Sequence, residues 1–384
     1  MSQTHILRYS YLKEIHRSFQ ITPVCALVGP RQCGKTTLAK EFAKEYPNSV
    51  YFFDLEDDRD LARLADPLLA LSDLEGLIII DEIHHCPDLF KTLRVLVDEK
   101  KKRHFLILTK ASENLFHQTS ESLAGRITYI EMMPFSIQEI NDDNKLFSRG
   151  GFPASYLAES EEMSYEWRRS YVKTFLERDI PSLGLKISPQ NIRRFWSMLA
   201  HYHANIFNAS EIARSLGVDP KTAESYLNIL EHSFMVRPLY PWLANIKKRQ
   251  VKSFKIYFRD TGILHTLLNI ENYEDLLNHP KIGASWEGFA MEQVIHSHRA
   301  DPEDCFFWAT SNGAKLDLLI AKDGNKIGYE FKFTSKPTIT KSMRIAFKDL
   351  NLDRLNVVVP GSDCFPLSKD KEISVKVLNY FAKE

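Results

Sequence analysis

Gly29 stands four residues ahead of Gly34-Lys35-Thr36-Thr37, and the apolar run Val24-Cys25-Ala26-Leu27-Val28 leads straight into it. This spacing lets the loop Gly29-Pro30-Arg31-Gln32-Cys33-Gly34 wrap phosphates with its backbone N–H groups, all but Pro30 supplying one. The Lys35 ammonium can then reach the outer phosphates, and the Thr36 hydroxyl, with Thr37 beside it, can meet Mg²⁺. A helix beginning near Lys35 adds its positive end to the same place. The expected ligands are ATP and Mg²⁺.

A second pair of groups fits the first. Asp81-Glu82 closes the apolar run Leu77-Ile78-Ile79-Ile80, which sets two carboxylates at a sheet edge, where phosphate-loop domains keep their metal and water groups. Asp81 is expected to support Mg²⁺, and Glu82 to act as general base toward the water that attacks the γ-phosphate. Thr109, ending the run His104 to Thr109, is placed like a polar sensor of the γ-phosphate. Arg126, in Ser122-Leu123-Ala124-Gly125-Arg126, is placed like an arginine finger.

Four continuous apolar runs (Val24 to Val28, Val50 to Phe53, Leu77 to Ile80, Phe105 to Leu108) alternate with helical stretches, the pattern of parallel strands buried on both faces. The expected fold is therefore α/β, with a P-loop NTPase parallel sheet over residues 1–140. A helical connector over 141–204 follows, carrying helix-period apolar positions in Trp167 to Ile180 and Asn191 to His203. At 384 residues the chain exceeds one usual core, so several domains are expected.

Composition narrows the setting. With 44% hydrophobic and 26% charged residues and no run of about 18 apolar residues, the expectation is a soluble, cytoplasmic protein without a membrane partner. Met1 to Arg8 lack the apolar core of a secretory signal. The five cysteines form no CxxC pair, which argues against a zinc site or a disulfide framework. Cys33 reads as a loop position tolerant of many residue types. With 50 basic and 50 acidic residues the net charge is zero, so any nucleic-acid surface must be local.

Residues 205–262 read as a winged-helix-like segment. Asn208 or Ser210 caps a first helix, Gly217 turns the chain, and Asp219-Pro220 starts a second helix presenting Lys221, Thr222, Glu224 and Ser225. Lys247-Lys248-Arg249, Lys252 and Lys255 would form a basic wing, making double-stranded DNA the expected partner. A protein partner and a homo-oligomer also stay open.

Residues 263–384 alternate again between a helix near Trp286 to His296 and four apolar runs. Asp317 lies in one run, and Glu330 and Lys332 share a face of the next. Two carboxylates on adjacent strands can hold a hard divalent ion while a lysine stabilises charge on an attacked phosphate. The arrangement resembles the PD-(D/E)xK nuclease core, with Glu287 as an additional carboxylate. A tail of this kind can also keep the fold and lose cleavage.

Over most of its length the chain resembles prokaryotic AAA-type ATP-binding proteins that carry a C-terminal domain of unknown function. The resemblance rests on the loop Val28 to Thr37, Ile80-Asp81-Glu82-Ile83, Ser122 to Arg126, Gly150-Gly151-Phe152-Pro153, Phe175 to Ile180 and Asp260-Thr261-Gly262-Ile263. It implies an ATPase core, a winged-helix segment and a restriction-endonuclease-like α/β tail. One departure is Leu108-Thr109-Lys110-Ala111-Ser112, where the family shows Leu-Thr-Gly-Ser; it bears on the sensor and on hydrolysis rate. The expected activity is ATP hydrolysis coupled to a macromolecular partner. Alternatives are a nucleotide-gated switch with little hydrolysis and an ATP-regulated, Mg²⁺-dependent nuclease.

Overall fold

The computed structural model describes residues 6–99, 101–110, 123–182, 188–243, 250–369 and 372–382. The chain divides into two compact units, Met1–Pro134 with His232–Phe234, and Phe135–Glu231 with Met235–Glu384.

Five strands build the first unit: β1 (Val24–Val28), β2 (Val50–Asp54), β3 (Gly76–Asp81), β4 (Arg103–Thr109) and β5 (Ile127–Glu131). They pair in parallel in the order β2-β3-β4-β1-β5, so chain order and spatial order differ and β1 lies between β4 and β5. The apolar runs fill both faces by simple alternation. Val24, Ala26, Val28, Ile78, Ile80, Phe105 and Ile107 pack in one cluster with Leu89, Phe90, Leu93 and Leu96 of the helix Leu89–Asp98. Cys25, Leu27, Leu77, Ile79, Leu106 and Leu108 pack in the other, against Leu12 and Ile15 of α1 (Tyr9–Ile21) and Leu38 and Phe42 of α2 (Lys35–Glu45). The doubly covered sheet aligns the C-terminal ends of β1, β3 and β4, where the expected nucleotide residues fall.

In the second unit, helices run over Glu161–Thr174 and Pro189–His201, with Phe175–Asp179 forming a π-helical turn. The helix pair Ala209–Leu216 and Pro220–His232 is present. The Asn208 side chain accepts from Glu211 N, Gly217 is left-handed at φ 72°, and Asp219 accepts from Thr222 N at 3.0 Å. Nine strands form one mixed sheet: β6 (Asn205–Ile206), β7 (Val236–Pro241), β8 (Lys255–Phe258), β9 (Cys305–Ala309), β10 (Lys315–Lys322), β11 (Asn325–Phe331), β12 (Arg354–Val359), β13 (Phe365–Pro366) and β14 (Ile373–Val377). Their order is β13-β14-β12-β11-β10-β9-β7-β8-β6. The join is the parallel pairing of β7 with β9, Tyr240 beside Phe306, which puts strands of the helix-pair segment and of the tail into one sheet.

Two motifs of the resemblance turn out to lock the second unit internally. Asp260 accepts from Gly151 N at 2.8 Å and from Ile263 N at 2.9 Å, and a Cβ on Gly150 would meet Asp260 Oδ1 at 2.3 Å. Only glycine lets the carboxylate come so close. Among the described residues no helix is long and apolar enough to cross a membrane.

Candidate functional site: a phosphate loop and a carboxylate-lysine cluster

The loop leaves β1 at its C-terminal end and enters α2 through Gly34, whose φ of 102° suits glycine. Gly29 is equally constrained, because a Cβ there would lie 2.1 Å from the Met132 carbonyl oxygen. Lys35 is buried and donates from Nζ to the Gly29 carbonyl at 3.0 Å and the Pro30 carbonyl at 2.9 Å. Arg31 pairs with Glu56 at 3.2 Å, while Gln32 and Thr37 are exposed.

The Thr36 hydroxyl donates to Asp81 Oδ2 at 2.6 Å, joining the first helical turn to the end of β3. Burial pushes the Asp81 carboxyl above the ordinary aspartate value, opposed by the Thr36 hydrogen bond. Among the described residues no lysine or arginine nitrogen lies within 4 Å of Asp81, so a hydroxyl and a buried carboxylate converge without a bound protein cation. This donor pair fits Mg²⁺, a hard ion that takes few protein oxygens and completes its shell with phosphate and water.

Glu82 follows with a left-handed backbone, φ 52°, and its Oε2 lies 3.1 Å from His84 Nδ1. Burial raises the Glu82 pKa, but the close His84 imidazole and the Lys35, His84 and Lys110 charges outweigh it, leaving the carboxyl below the ordinary glutamate value. A carboxylate kept ionised is the form a general base needs. His84 was not singled out from sequence, although its place two residues past Glu82 was visible there.

Thr109 is buried and sits opposite Val28, the last residue before the loop, with its hydroxyl donating to the Lys110 carbonyl at 2.8 Å. Ala111, Ser112 and Ser122 lie outside the described residues. Arg126 is not brought to its own loop. It precedes β5, whose first residue pairs with Val24 at the opposite end of β1, roughly 16 Å away by strand rise. There it forms a two-pronged pair with Asp98, at 2.8 and 3.2 Å.

Arg8 is a site residue that sequence inspection missed. It is buried, and its guanidinium donates to the Cys33 carbonyl and the Pro134 carbonyl, each at 3.2 Å, fastening the phosphate loop to the segment after β5. Cys33 corrects an expectation: it is fully buried, with Sγ donating to the Met132 carbonyl at 3.3 Å, so its size is constrained.

In the second unit β8, β10, β11 and the helix Ile282–Ser297 bring Glu287, Asp317, Glu330 and Lys332 together. Asp317 is fully buried and accepts from Phe331 N at 3.3 Å. Lys332 Nζ lies 2.8 Å from Glu330 Oε2 and 3.5 Å from Asp317 Oδ2, and Lys315 Nζ lies 3.4 Å from Asp317 Oδ1. Lys255 is the surprise. It was expected on an exposed basic wing, yet it is buried and donates to Glu287 Oε1 at 3.1 Å and to the Tyr257 hydroxyl at 3.2 Å. Tyr257 donates in turn to Glu287 Oε1 at 2.6 Å. The rest of the wing, Lys247-Lys248-Arg249, lies outside the described residues, and Lys252 is exposed.

The charges act on one another. Burial pushes Asp317 upward, but Lys255, Lys332 and Lys315 outweigh it and hold the carboxyl below its ordinary value. Glu330 is pushed up to about 7 by burial and the Asp317 charge, and Glu287 is raised by the same two causes. The expected metal ligands Glu287, Asp317 and Glu330 are therefore gathered, but lysines already hold them. Among the described residues no group of three or more His, Cys, Asp or Glu side chains is arranged to hold a metal ion.

The helix-turn-helix groups are also partly spent. The Thr222 hydroxyl donates to Asp219 at 2.6 Å, leaving Lys221, Glu224 and Ser225 as the exposed groups of that face.

Parallel sheet, loop and carboxylate pair together define a P-loop domain of the AAA class, and residues 22–141 match the family model of an AAA domain. Residues 141–274 and 282–380 match two domains of unknown function, DUF8612 and DUF4143. The chain is 48% identical to the uncharacterized protein Rv2008c of Mycobacterium tuberculosis, over 92% of this chain and 80% of the relative. The uncharacterized protein Mb2031c of Mycobacterium bovis matches to the same extent. This protein belongs to the family of those two mycobacterial proteins. It is also similar to a solved Walker-type ATPase of Pyrococcus abyssi, at 14% identity and a TM-score of 0.47, covering 70% of this chain and 97% of that one.

Proposed function

We propose that the protein binds and hydrolyses ATP at Gly29–Thr37, Asp81 and Glu82 and couples that cycle to a macromolecular partner. The observation that carries this reading is the 2.6 Å hydrogen bond from Thr36 to Asp81. It sets hydroxyl and carboxylate side by side before any ion arrives. Thr36 and Asp81 are the residues that would hold Mg²⁺, whose chemistry when bound would be to offset negative charge on the phosphates. Lys35 can leave the two loop carbonyls for the outer phosphates at little cost, since it exchanges one set of acceptors for a charged one. Glu82, kept ionised, takes the proton of the attacking water, and Thr109 lies next to the loop strand to sense the γ-phosphate.

Arg126 supports an oligomer in this proposal. Remote from its own loop and held by an exposed Asp98 pair, it is free to serve a neighbouring copy at modest cost. The finer division of the second unit into a connector over 141–204, a winged-helix-like segment over 205–262 and a nuclease-like tail over 263–384 belongs to the same proposal. Double-stranded DNA is the partner favoured by the capped helix pair and the exposed Lys221 and Lys252.

A second reading, a nucleotide-gated switch with slow turnover, is favoured by the Glu82-His84 pair, which occupies the base. Steady-state phosphate release with and without duplex DNA separates the two. The ATPase predicts turnover that Glu82→Gln removes while ATP binding survives. The switch predicts tight ATP binding, abolished by Lys35→Ala, with wild-type release at background.

A further inference from the structure

Three carboxylates and three ammonium groups meet in the second unit: Glu287, Asp317 and Glu330 against Lys255, Lys315 and Lys332. By formal charge the cluster is balanced. A restriction-endonuclease-like tail would be expected to bind a divalent cation with these same acids, and here they do not fit it. An added doubly charged ion would leave a buried net charge of two and would sit against three ammonium groups.

We propose that Lys255 is a built-in cation: its ammonium closes a latent divalent-metal site between Glu287 and Asp317, so that the tail is held together by a lysine rather than by a metal ion. The position of Lys255 carries the argument. Its Nζ lies 3.1 Å from Glu287 Oε1 and 3.9 Å from Asp317 Oδ1, bridging the helix Ile282–Ser297 and β10 from a third element, β8. Lys315 and Lys332 flank Asp317 along and beside its own strand, whereas Lys255 comes from the helix-pair segment, 62 residues earlier (317 − 255).

A second observation points to the latent site. Among the described residues, Asp317 Oδ1 and Glu330 Oε1 are buried and have no hydrogen-bond donor. Buried carboxylate oxygens are ordinarily hydrogen-bonded, and these two are stabilised by neighbouring charge alone. Such oxygens are the donors that a hard cation would take once Lys255 is removed. The tail in its native form is then a metal-independent module, without the ion that phosphodiester cleavage of this type requires.

The test is calorimetric titration of MnCl₂ into the full-length protein at pH 8 without nucleotide. Wild-type protein is expected to show no saturable binding that depends on Asp317. Lys255→Met is expected to gain one Mn²⁺ site per chain, at least tenfold tighter than any wild-type binding and lost again in Lys255→Met/Asp317→Asn. Wild-type binding removed by Asp317→Asn would overturn the proposal, as would a folded Lys255→Met protein that takes up no Mn²⁺. Should Lys255→Met not fold, Lys255→Met/Glu287→Gln, relieved of the carboxylate charge that Lys255 bonds directly, is expected to regain a cooperative melt, and failure to do so would count against the proposal. With no nucleotide present, either failure leaves the ATP-site proposal untouched.

Discussion

Both regions set lysine and carboxylate groups on the same fold-level logic, strand ends and an adjoining helix, yet they treat charge in opposite ways. At the phosphate loop, Lys35 rests on carbonyl oxygens and, among the described residues, Asp81 receives a hydroxyl and a backbone N–H. In the second unit, Asp317 has three lysines within 3.9 Å and Lys255 bonds Glu287 directly. The first site holds its opposite charges apart, and in the proposed cycle an incoming phosphate and metal ion complete them. The second has already joined them. Residue types alone do not distinguish a site poised for ligands from one that has satisfied itself; the pairing does.

Removing the groups held in reserve gives the largest effect. Lys35→Ala or Glu82→Gln should lower ATP turnover by about 10²- to 10⁴-fold, measured as phosphate release, with little change in the melting temperature. Breaking the satisfied cluster should do the reverse. Lys255→Met leaves Glu287 without its cation and should destabilise the second unit by about 3–5 kcal/mol in urea titration, while ATP turnover per folded molecule stays near wild type. Equal effects of both substitutions on turnover would erase the distinction.

A pH series sharpens the contrast. The folded-state pKa of Glu330 is raised to about 7, above the ordinary glutamate value near 4.3. The native state therefore binds a proton that the unfolded chain releases, and Glu330 makes stability fall as pH rises from about 4.3 to 7 and level off above. Glu330→Gln should flatten that fall in urea midpoints measured from pH 5 to 8. At the other site the sign is opposite, since Glu82 sits below its ordinary value. His84→Ala removes one of the causes, so the acid limb of kcat should move upward in pH and kcat should drop, by about tenfold or less, while KM for ATP holds.

The phosphate loop and Asp81-Glu82 were legible in the sequence because each is a local segment whose chemistry is fixed by spacing and by the strand it follows. The parallel sheet was legible for a related reason: runs such as Leu77 to Ile80, apolar at every position, need cover on both faces. What stayed hidden depends on pairing across long separations. Arg8 reaches Pro134 across 126 positions, and no local pattern marks it. Lys255 looked like part of a basic wing because it follows Lys247-Lys248-Arg249 and Lys252, and only the pairing of β8 beside the tail's helix turns it inward. Arg126 was visible as a cation, but its distance from the loop follows from the direction in which β5 pairs with β1.

Protein-bound Mn²⁺ counted by electron paramagnetic resonance, with and without a non-hydrolysable ATP analogue, tests the central claim most directly. The account predicts one ion per chain with the analogue and none without it, the bound ion being lost in Asp81→Asn and kept in Asp317→Asn. An ion bound without nucleotide, kept in Asp81→Asn and lost in Asp317→Asn, would contradict it.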